Sequence, residues 1–180
     1  MYKTTLFALF LVVFSLKTTA QITERPINDR PKLVVGIVVD QMRCDYLFRY
    51  WQKFGNDGFK RLINKGFFCK NTHYNYMPTY TGPGHACVYT GATPALNGIV
   101  ANDWYNRKLG RTTYCTEDST AKTVGSPTLA VGKMSPRNLI STTITDELKL
   151  ATNMKSKVVG IAIKDRGAIL PAGHTPDAAY

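Results

Sequence analysis

The sequence predicts an α/β fold, a three-layer α/β/α sandwich with a mostly parallel central sheet. Two runs carry most of that expectation. Leu33–Val39 (LVVGIVV) is short, β-branched and apolar throughout, and Lys157–Ile163 (KVVGIAI) repeats the pattern. Runs of this kind fit strands buried on both faces, as in a parallel sheet with helices on either side. The third observation is the alternation of such runs with stretches of helical spacing along the chain.

The first twenty residues read as a leader. Lys3 gives a basic start, Leu6–Leu16 is an eleven-residue apolar run interrupted only by Ser15, and Thr18-Thr19-Ala20 places small residues before Gln21. That is the three-part pattern of a secretory signal peptide cleaved near Ala20–Gln21, and it predicts a periplasmic or secreted protein. The run is well short of the ~20 residues that a membrane-spanning helix needs. The 160 residues that remain suffice for one domain with a core of its own.

Residues 21–32 are polar with two prolines and read as an extended lead-in to the first strand, 33–39. A helical stretch follows over Arg43–Asn64, broken near Gly55–Gly58 and stopped at Gly66. Tyr46, Leu47, Tyr50, Trp51 and Phe54 recur along it at the spacing of core contacts. Phe67–Tyr74 is expected as a second strand. Pro83 and Gly84 open a short helix that Gly91 closes. Trp104–Tyr114, with Leu109-Gly110 near its middle, reads as a hairpin. Ser135-Pro136 supplies a hydroxyl cap followed by a first-turn proline, and Ile140, Ile144, Leu148 and Ala151 then line one apolar face. The chain stops at Tyr180, just after a strand and its exit loop. Residues 33–180 are therefore expected to be the N-terminal part of a larger domain.

Charge and cysteines narrow the partners. The chain has 23 Lys and Arg against 12 Asp and Glu, a net charge of +11 that becomes +9 without Lys3 and Lys17. These basic residues are scattered, which fits a solvated surface and no nucleic-acid or membrane patch. Cys44, Cys69, Cys87 and Cys115 allow three complete pairings, and none forms a C-x-x-C metal pattern.

In open parallel sheets ligands bind beyond the carboxyl ends of the strands. Asp40 follows LVVGIVV directly, and Lys164 and Arg166 follow VVGIAI. If that second segment stays extended, residues two apart face the same side. A carboxylate beside a Lys and an Arg makes a metal ligand and an anion site, with Arg suited to bidentate phosphate recognition. The third piece is Met77-Pro78-Thr79-Tyr80-Thr81-Gly82-Pro83-Gly84-His85-Ala86. A hydroxyl directly before Gly-Pro-Gly sits at a helix N-terminus, where backbone N–H groups and the helix dipole favour negative charge. Taken alone, Asp40 and Thr81 also read as helix caps, and Lys164 and Arg166 as loop charges. A threonine attacks as a nucleophile only when a base or metal lowers its pKa. A catalytic Thr81 thus needs a metal, with Asp40 as its first ligand.

Four blocks in this order, VGIVVDQMRCDYL, MPTYTGPGHACVYTG, NGIVANDWY and IAIKDRGAILPAGH, resemble the PafA-type alkaline phosphatases. These belong to the alkaline phosphatase superfamily, on the branch with the type I phosphodiesterases/nucleotide pyrophosphatases. The resemblance runs from about Leu33 to Tyr180. It implies an alkaline phosphatase-like sandwich and zinc-dependent hydrolysis of small phosphate monoesters, with two Zn2+ ions in the complete protein. It implies that Asp40 is a zinc ligand and that Thr81 is the zinc-bound nucleophile, becoming a phosphothreonine. Asn102 would donate to a phosphoryl oxygen, and Lys164 and Arg166 would bind the others. His85 would be structural, and His73 and His174 match no role. Only Asp40 and Thr81 match metal-ligand positions, so the remaining ligands are expected C-terminal to this chain, and these 180 residues alone are expected to be inactive.

Two alternatives stay open at this point. A phosphodiesterase of the neighbouring branch shares the metal-bound threonine and the asparagine, whereas the Lys164/Arg166 pair favours a dianionic monoester. A non-catalytic secreted module is the other, supported by the shortage of metal ligands. A sulfatase is disfavoured, because Thr81-Gly82-Pro83-Gly84 lacks the arginine of the C/S-x-P-x-R motif.

Overall fold

The computed structural model describes residues 31–125, 127 and 129–180. The leader-like residues and most of the lead-in lie outside that range. The chain divides into two compact units, Met1–Ile37 and Val38–Tyr180. Residues 31–37, the described part of the first unit, are exposed and form no helix or ladder.

In the second unit the order is α1 (Asp45–Arg49), a 3-10 turn (Trp51–Lys53), α2 (Phe59–Lys65), α3 (Thr81–Thr90) and α4 (Pro94–Asn97). The hairpin strands β1 (Asp103–Asn106) and β2 (Arg111–Tyr114) follow, then α5 (Ile144–Ala151), β3 (Val159–Gly160), α6 (Asp165–Ala172) and β4 (Ala178–Ala179). β1 and β2 pair antiparallel, with Asp103 opposite Tyr114. β3 and β4 pair parallel across α6, a β-α-β unit whose ladder is lengthened by the Ala162 N–H to Tyr180 O bond of 2.9 Å. The core, Ala86, Ile99, Cys115, Leu139 and Leu170, joins α3, the two hairpin flanks and α6, with Trp104 and Tyr114 packed against it.

Several expected elements are where the pattern put them. The hairpin is present, Gly91 ends α3 in the left-handed region, and Arg43–Asn64 is helical with a break before Gly58. Others differ for identifiable reasons. Leu33–Val39 and Phe67–Tyr74 make no ladder among the described residues, because a strand exists only where a neighbour supplies hydrogen bonds. Tyr46, Leu47, Trp51 and Phe54 are only half-buried and Tyr50 is exposed, so α1 and its 3-10 turn bury no residue fully.

The helix expected from Ser135-Pro136 begins eight residues later, at Ile144. Ser135 instead folds back on Asp118, its hydroxyl donating to Oδ2 at 2.7 Å, and it makes a turn. The real start is a capping box. The Thr143 side chain accepts from the Asp146 N–H, while Asp146 accepts from the Thr143 N–H. The predicted apolar face is open: Ile140 is 72% exposed and Ile144 is 67% exposed, whereas Asp146 and Lys149 are buried.

Asp146 is the polar centre of this region. One carboxylate oxygen accepts from the backbone N–H groups of His174 (2.8 Å) and Thr175 (3.1 Å) and from the Thr175 hydroxyl (3.0 Å). The other accepts from the Thr143 N–H (3.0 Å), the Thr143 hydroxyl (3.0 Å) and His174 Nδ1 (2.9 Å). Nε2 of His174 meets the Leu139 carbonyl at 2.9 Å, so both ring nitrogens face acceptors, which favours the imidazolium and raises the ring's pKa. Gly173 makes this approach possible, at φ 78° and ψ −154°, a region open essentially to glycine alone. A Cβ there would run into the Thr143 hydroxyl and the Asp146 carboxylate. Gly173→Ala is therefore expected to destabilise the fold by at least about 2 kcal/mol, read from urea unfolding midpoints.

Candidate active site

The site is built around the first turn of α3. The helix N-cap is Tyr80, with φ −69° and ψ 167°, and Thr81 is already the first helical residue. This corrects the reading of Thr81 as a cap. Its side chain makes no capping bond and points instead at Asp40, with Oγ1 donating to Oδ2 at 3.1 Å across 41 residues of sequence. The hydroxyl that the motif singled out and the carboxylate that ends the first apolar run thus meet at an accessible position.

After Thr81, the backbone donors of this turn are taken within the protein. The Gly82 N–H donates to Asn102 Oδ1 at 2.7 Å, Pro83 has no N–H, and the Gly84 N–H bonds the Tyr80 carbonyl at 2.9 Å. The donor role passes to Asn102. Because its Oδ1 is taken by Gly82, its Nδ2 hydrogens are turned the other way. Residue 82 must be small for this contact, since a Cβ would lie 3.1 Å from Asn102 Oδ1 and 3.2 Å from Cys115 Sγ. The Cys115 N–H to Asn102 O bond of 2.8 Å fixes the asparagine backbone.

His85 supports the same turn. It is buried, and its Nδ1–H donates to the Thr81 carbonyl at 2.8 Å, which is a structural task. A Cβ on Gly167 would lie 3.8 Å from its Nε2, so the ring also abuts the start of α6. α3 packs directly on α6, which brings Lys164 and Arg166 to this end of the molecule. They do not lie on one extended face as expected. Lys164 is the N-cap of α6 and Arg166 is in its first turn. Asp165 in that turn favours helix through its charge at the positive end of the dipole.

Lys164 is exposed and borders an open hollow of 410 Å³ also lined by Tyr114, Val131, Met134, Ile163 and Asp165. Arg166 is half-buried. Nη1 donates to the Tyr114 hydroxyl at 2.7 Å and the guanidinium carbon lies 5.7 Å from the centre of that ring. Burial works against the charge of Arg166, but the Tyr114 hydrogen bond and the nearby Asp165 outweigh it and raise its pKa. Burial and the bond to Asp165 push Tyr114 up to about 12. Burial likewise pushes Cys115 up to about 12, so this thiol stays protonated behind Gly82. No sequence motif marks Tyr114 or Thr116. Only the aspartate between Lys164 and Arg166 offered a cue.

Asp40 and Thr81 present two hard oxygen donors at hydrogen-bond distance, a donor pair suited to a divalent cation. A catalytic zinc takes three protein ligands as a rule, and no group of three His, Cys, Asp or Glu residues that could hold a metal occurs among the described residues. The two oxygens therefore fit part of a metal shell. His73 sits apart, with Nε2 on Asn71 Oδ1, and His174 belongs to the Asp146 cluster.

The family model for type I phosphodiesterase / nucleotide pyrophosphatase matches residues 34–174. Alkaline phosphatase PhoV of Synechococcus elongatus is 59% identical over 151 residues, 84% of this chain and 27% of that protein. Alkaline phosphatase PafA of Elizabethkingia meningoseptica is 56% identical over 151 residues, again 84% of this chain, and 28% of its own length. The crystal structure of wild-type PafA superposes with a TM-score of 0.81 at 57% identity, covering 83% of this chain and 29% of that one. A PafA variant substituted at a threonine, an asparagine, a lysine and an arginine superposes equally well, with a TM-score of 0.81. The chain thus spans under a third of the length of the relatives it matches, and the fold is the alkaline phosphatase-like α/β fold, present in part. The chain belongs to the type I phosphodiesterase/nucleotide pyrophosphatase family.

Proposed function

We propose that this chain carries the nucleophile end of a zinc-dependent phosphomonoesterase active site that works through a phosphothreonine on Thr81. The observation that carries the reading is the convergence at the head of α3. Thr81 Oγ1 lies on Asp40 Oδ2, and Asn102 is locked to the next peptide with its amide donors turned away from it. The relatives named alkaline phosphatases support the reaction class. The substituted positions of the PafA variant support the residue set, because they are spaced by 21, 62 and 2 residues, as are Thr81, Asn102, Lys164 and Arg166.

In this mechanism Thr81 Oγ attacks the phosphorus of a small phosphate ester in line with the leaving oxygen. The Thr81 proton, held toward Asp40 Oδ2 in the resting site, passes to water as the oxygen ionises, and the departing oxygen takes a proton from water. Asp40 and Thr81 would hold one metal. When bound, this zinc would supply the positive charge that lowers the pKa of the Thr81 hydroxyl, and the second ion of the complete protein would supply charge for the leaving oxygen. Asn102 Nδ2, Lys164 and Arg166 donate to the non-bridging oxygens, where negative charge sits in the transition state. Water then cleaves the phosphothreonine and regenerates the hydroxyl. The same reading takes residues 1–20 as an export signal, so the enzyme acts in the periplasm or outside the cell.

A phosphodiesterase would share Thr81 and Asn102, and the family's own description favours keeping it in view. Two cations in the cradle argue for the monoester, whose transferred group carries one more negative charge. Replacing Lys164 and Arg166 together by Ala in the native protein tests this. The loss of kcat/KM on an aryl monoester is expected to exceed that on the matching methyl diester by roughly 10- to 100-fold, the worth of charge-assisted hydrogen bonds. Equal losses would remove the argument for a monoesterase.

A further inference from the structure

We propose that Tyr114 is a positioning residue that sets the guanidinium of Arg166 for the phosphoryl group. The inference rests on the phosphomonoesterase reading and adds to it the part that orients the arginine.

The tyrosine hydroxyl has one proton and two neighbours. It lies 2.7 Å from Asp165 Oδ1 and 2.7 Å from Arg166 Nη1. A carboxylate only accepts and a guanidinium only donates. The direction of both bonds is therefore fixed: Tyr114 donates to Asp165 and accepts from Arg166. The second oxygen of Asp165 accepts from the Thr116 hydroxyl at 2.8 Å, so the carboxylate is held at both ends and the tyrosine proton has one place to go.

Tyr114 is itself anchored. Its N–H donates to Glu117 Oε2 at 3.0 Å, its carbonyl accepts from Asn138 Nδ2 at 3.2 Å, and its ring packs against the buried core. The arginine is thus tied to the end of a strand, through a rigid ring, at a single nitrogen. Nη1 is the nitrogen on the Cδ side of the guanidinium. Holding it leaves the opposite edge, Nε and Nη2, for a planar or tetrahedral anion. Nε is buried and meets no protein acceptor among the described residues, so Nη2 is the nitrogen of that edge left to reach an anion directly. A long side chain free to rotate would lose entropy on each binding event, and the tyrosine removes most of that cost beforehand.

The test is a double-mutant cycle in the native protein, with Tyr114→Phe, Arg166→Ala and both together. Phe keeps the ring and removes only the hydroxyl. Two readouts are used: kcat/KM on an aryl phosphate monoester, and affinity for orthophosphate by calorimetry. Tyr114→Phe is expected to lower kcat/KM by up to about 100-fold, the scale of a misplaced group near the reacting atoms, and to weaken orthophosphate binding in parallel. Both losses are expected to vanish when Arg166 is already Ala. Asp165→Asn, which keeps Tyr114 whole, is expected to couple to Arg166 in the same way, and stands in if Tyr114→Phe loses its thermal transition. No loss, or equal losses with and without Arg166, overturns the positioning role. An Arg166→Ala variant with unchanged monoester turnover overturns the underlying reading of the site instead.

Discussion

Thr81→Ala is expected to lower phosphomonoester turnover by at least about 1,000-fold while leaving the protein folded. The two halves of that expectation come from different observations. The activity loss follows from removing the hydroxyl that meets Asp40 at the head of α3. The survival of the fold follows from what Thr81 does not do. It makes no capping bond, its one side-chain hydrogen bond is exposed, and the helix start is held by Gly84 on Tyr80 and by His85 on the residue-81 carbonyl. None of these depends on the residue-81 side chain, so the stability change should stay within about 1 kcal/mol. The measurement pairs steady-state hydrolysis of an aryl phosphate with a thermal melt. A folded Thr81→Ala variant with near-normal turnover would remove the nucleophile assignment. Thr81→Ser, which keeps a hydroxyl at the same place, should retain a substantial part of the activity.

Asp146→Ala is expected to have the opposite profile, a loss of about 3–5 kcal/mol of stability, the range for breaking a buried ion pair from one side. Asp146 is 3% exposed and accepts from Thr143, His174 and Thr175, so its removal orphans several donors at once. The same cluster gives a pH signature. Burial alone would raise the Asp146 pKa, but the bonds from His174 and Thr143 overcome it and lower it from 3.8 to about 2. A carboxyl depressed in the folded state contributes stability above its unfolded pKa and loses it as pH falls through the folded value. That limb lies between about pH 4 and 2 and is worth roughly 2 kcal/mol. For His174, burial lowers the pKa, but the bonds to Asp146 and to the Leu139 carbonyl outweigh it and raise it above 6.5. Its contribution is complete below 6.5 and is lost as pH rises through the folded value. Urea midpoints should therefore fall on both sides of a plateau near pH 4–6, and His174→Gln should flatten the alkaline limb and shrink the acid one, since it also removes a bond that lowers the Asp146 pKa. An unchanged alkaline limb in that variant would place the titration elsewhere.

The parts of the fold legible from sequence were those fixed by local chemistry. Leu109-Gly110 in a polar stretch between aromatic runs marked the hairpin, and Gly91 marked the end of α3. The β-branched run at Val158–Ile163 marked β3, although the ladder itself is only Val159–Gly160. The start of α5 was misplaced because Ser135-Pro136 satisfies the same local rule as Thr143-x-x-Asp146. The hydroxyl of Ser135 is claimed by Asp118, 17 residues away, and no local rule shows that. Lys164-Asp165-Arg166 was read as extended because it follows an apolar run, yet Asp165 starts a helix there.

In the site, the meeting of Asp40 and Thr81 was legible because strand ends and helix starts of α/β folds converge. The chemistry around Arg166 was not. Tyr114 and Thr116 reach it from about 50 residues away, and no spacing links them to it.

The way α3 disposes of its own amides has a consequence for how such a site changes over generations. Gly82 gives its hydrogen to Asn102, Pro83 has none to give, and Gly84 gives its hydrogen to Tyr80. A phosphate cradle made of peptide groups cannot be edited by a codon change, since every residue but proline brings the same N–H. The cradle proposed for this protein is made of an asparagine, a lysine and an arginine, each encoded separately, and the lysine and arginine lie outside the helix that carries Thr81. Adding or deleting one cation would shift the preferred charge of the substrate while the attacking hydroxyl stays where it is. On the proposed function, single substitutions at the rim would move a lineage built this way between monoesters and diesters without touching Thr81.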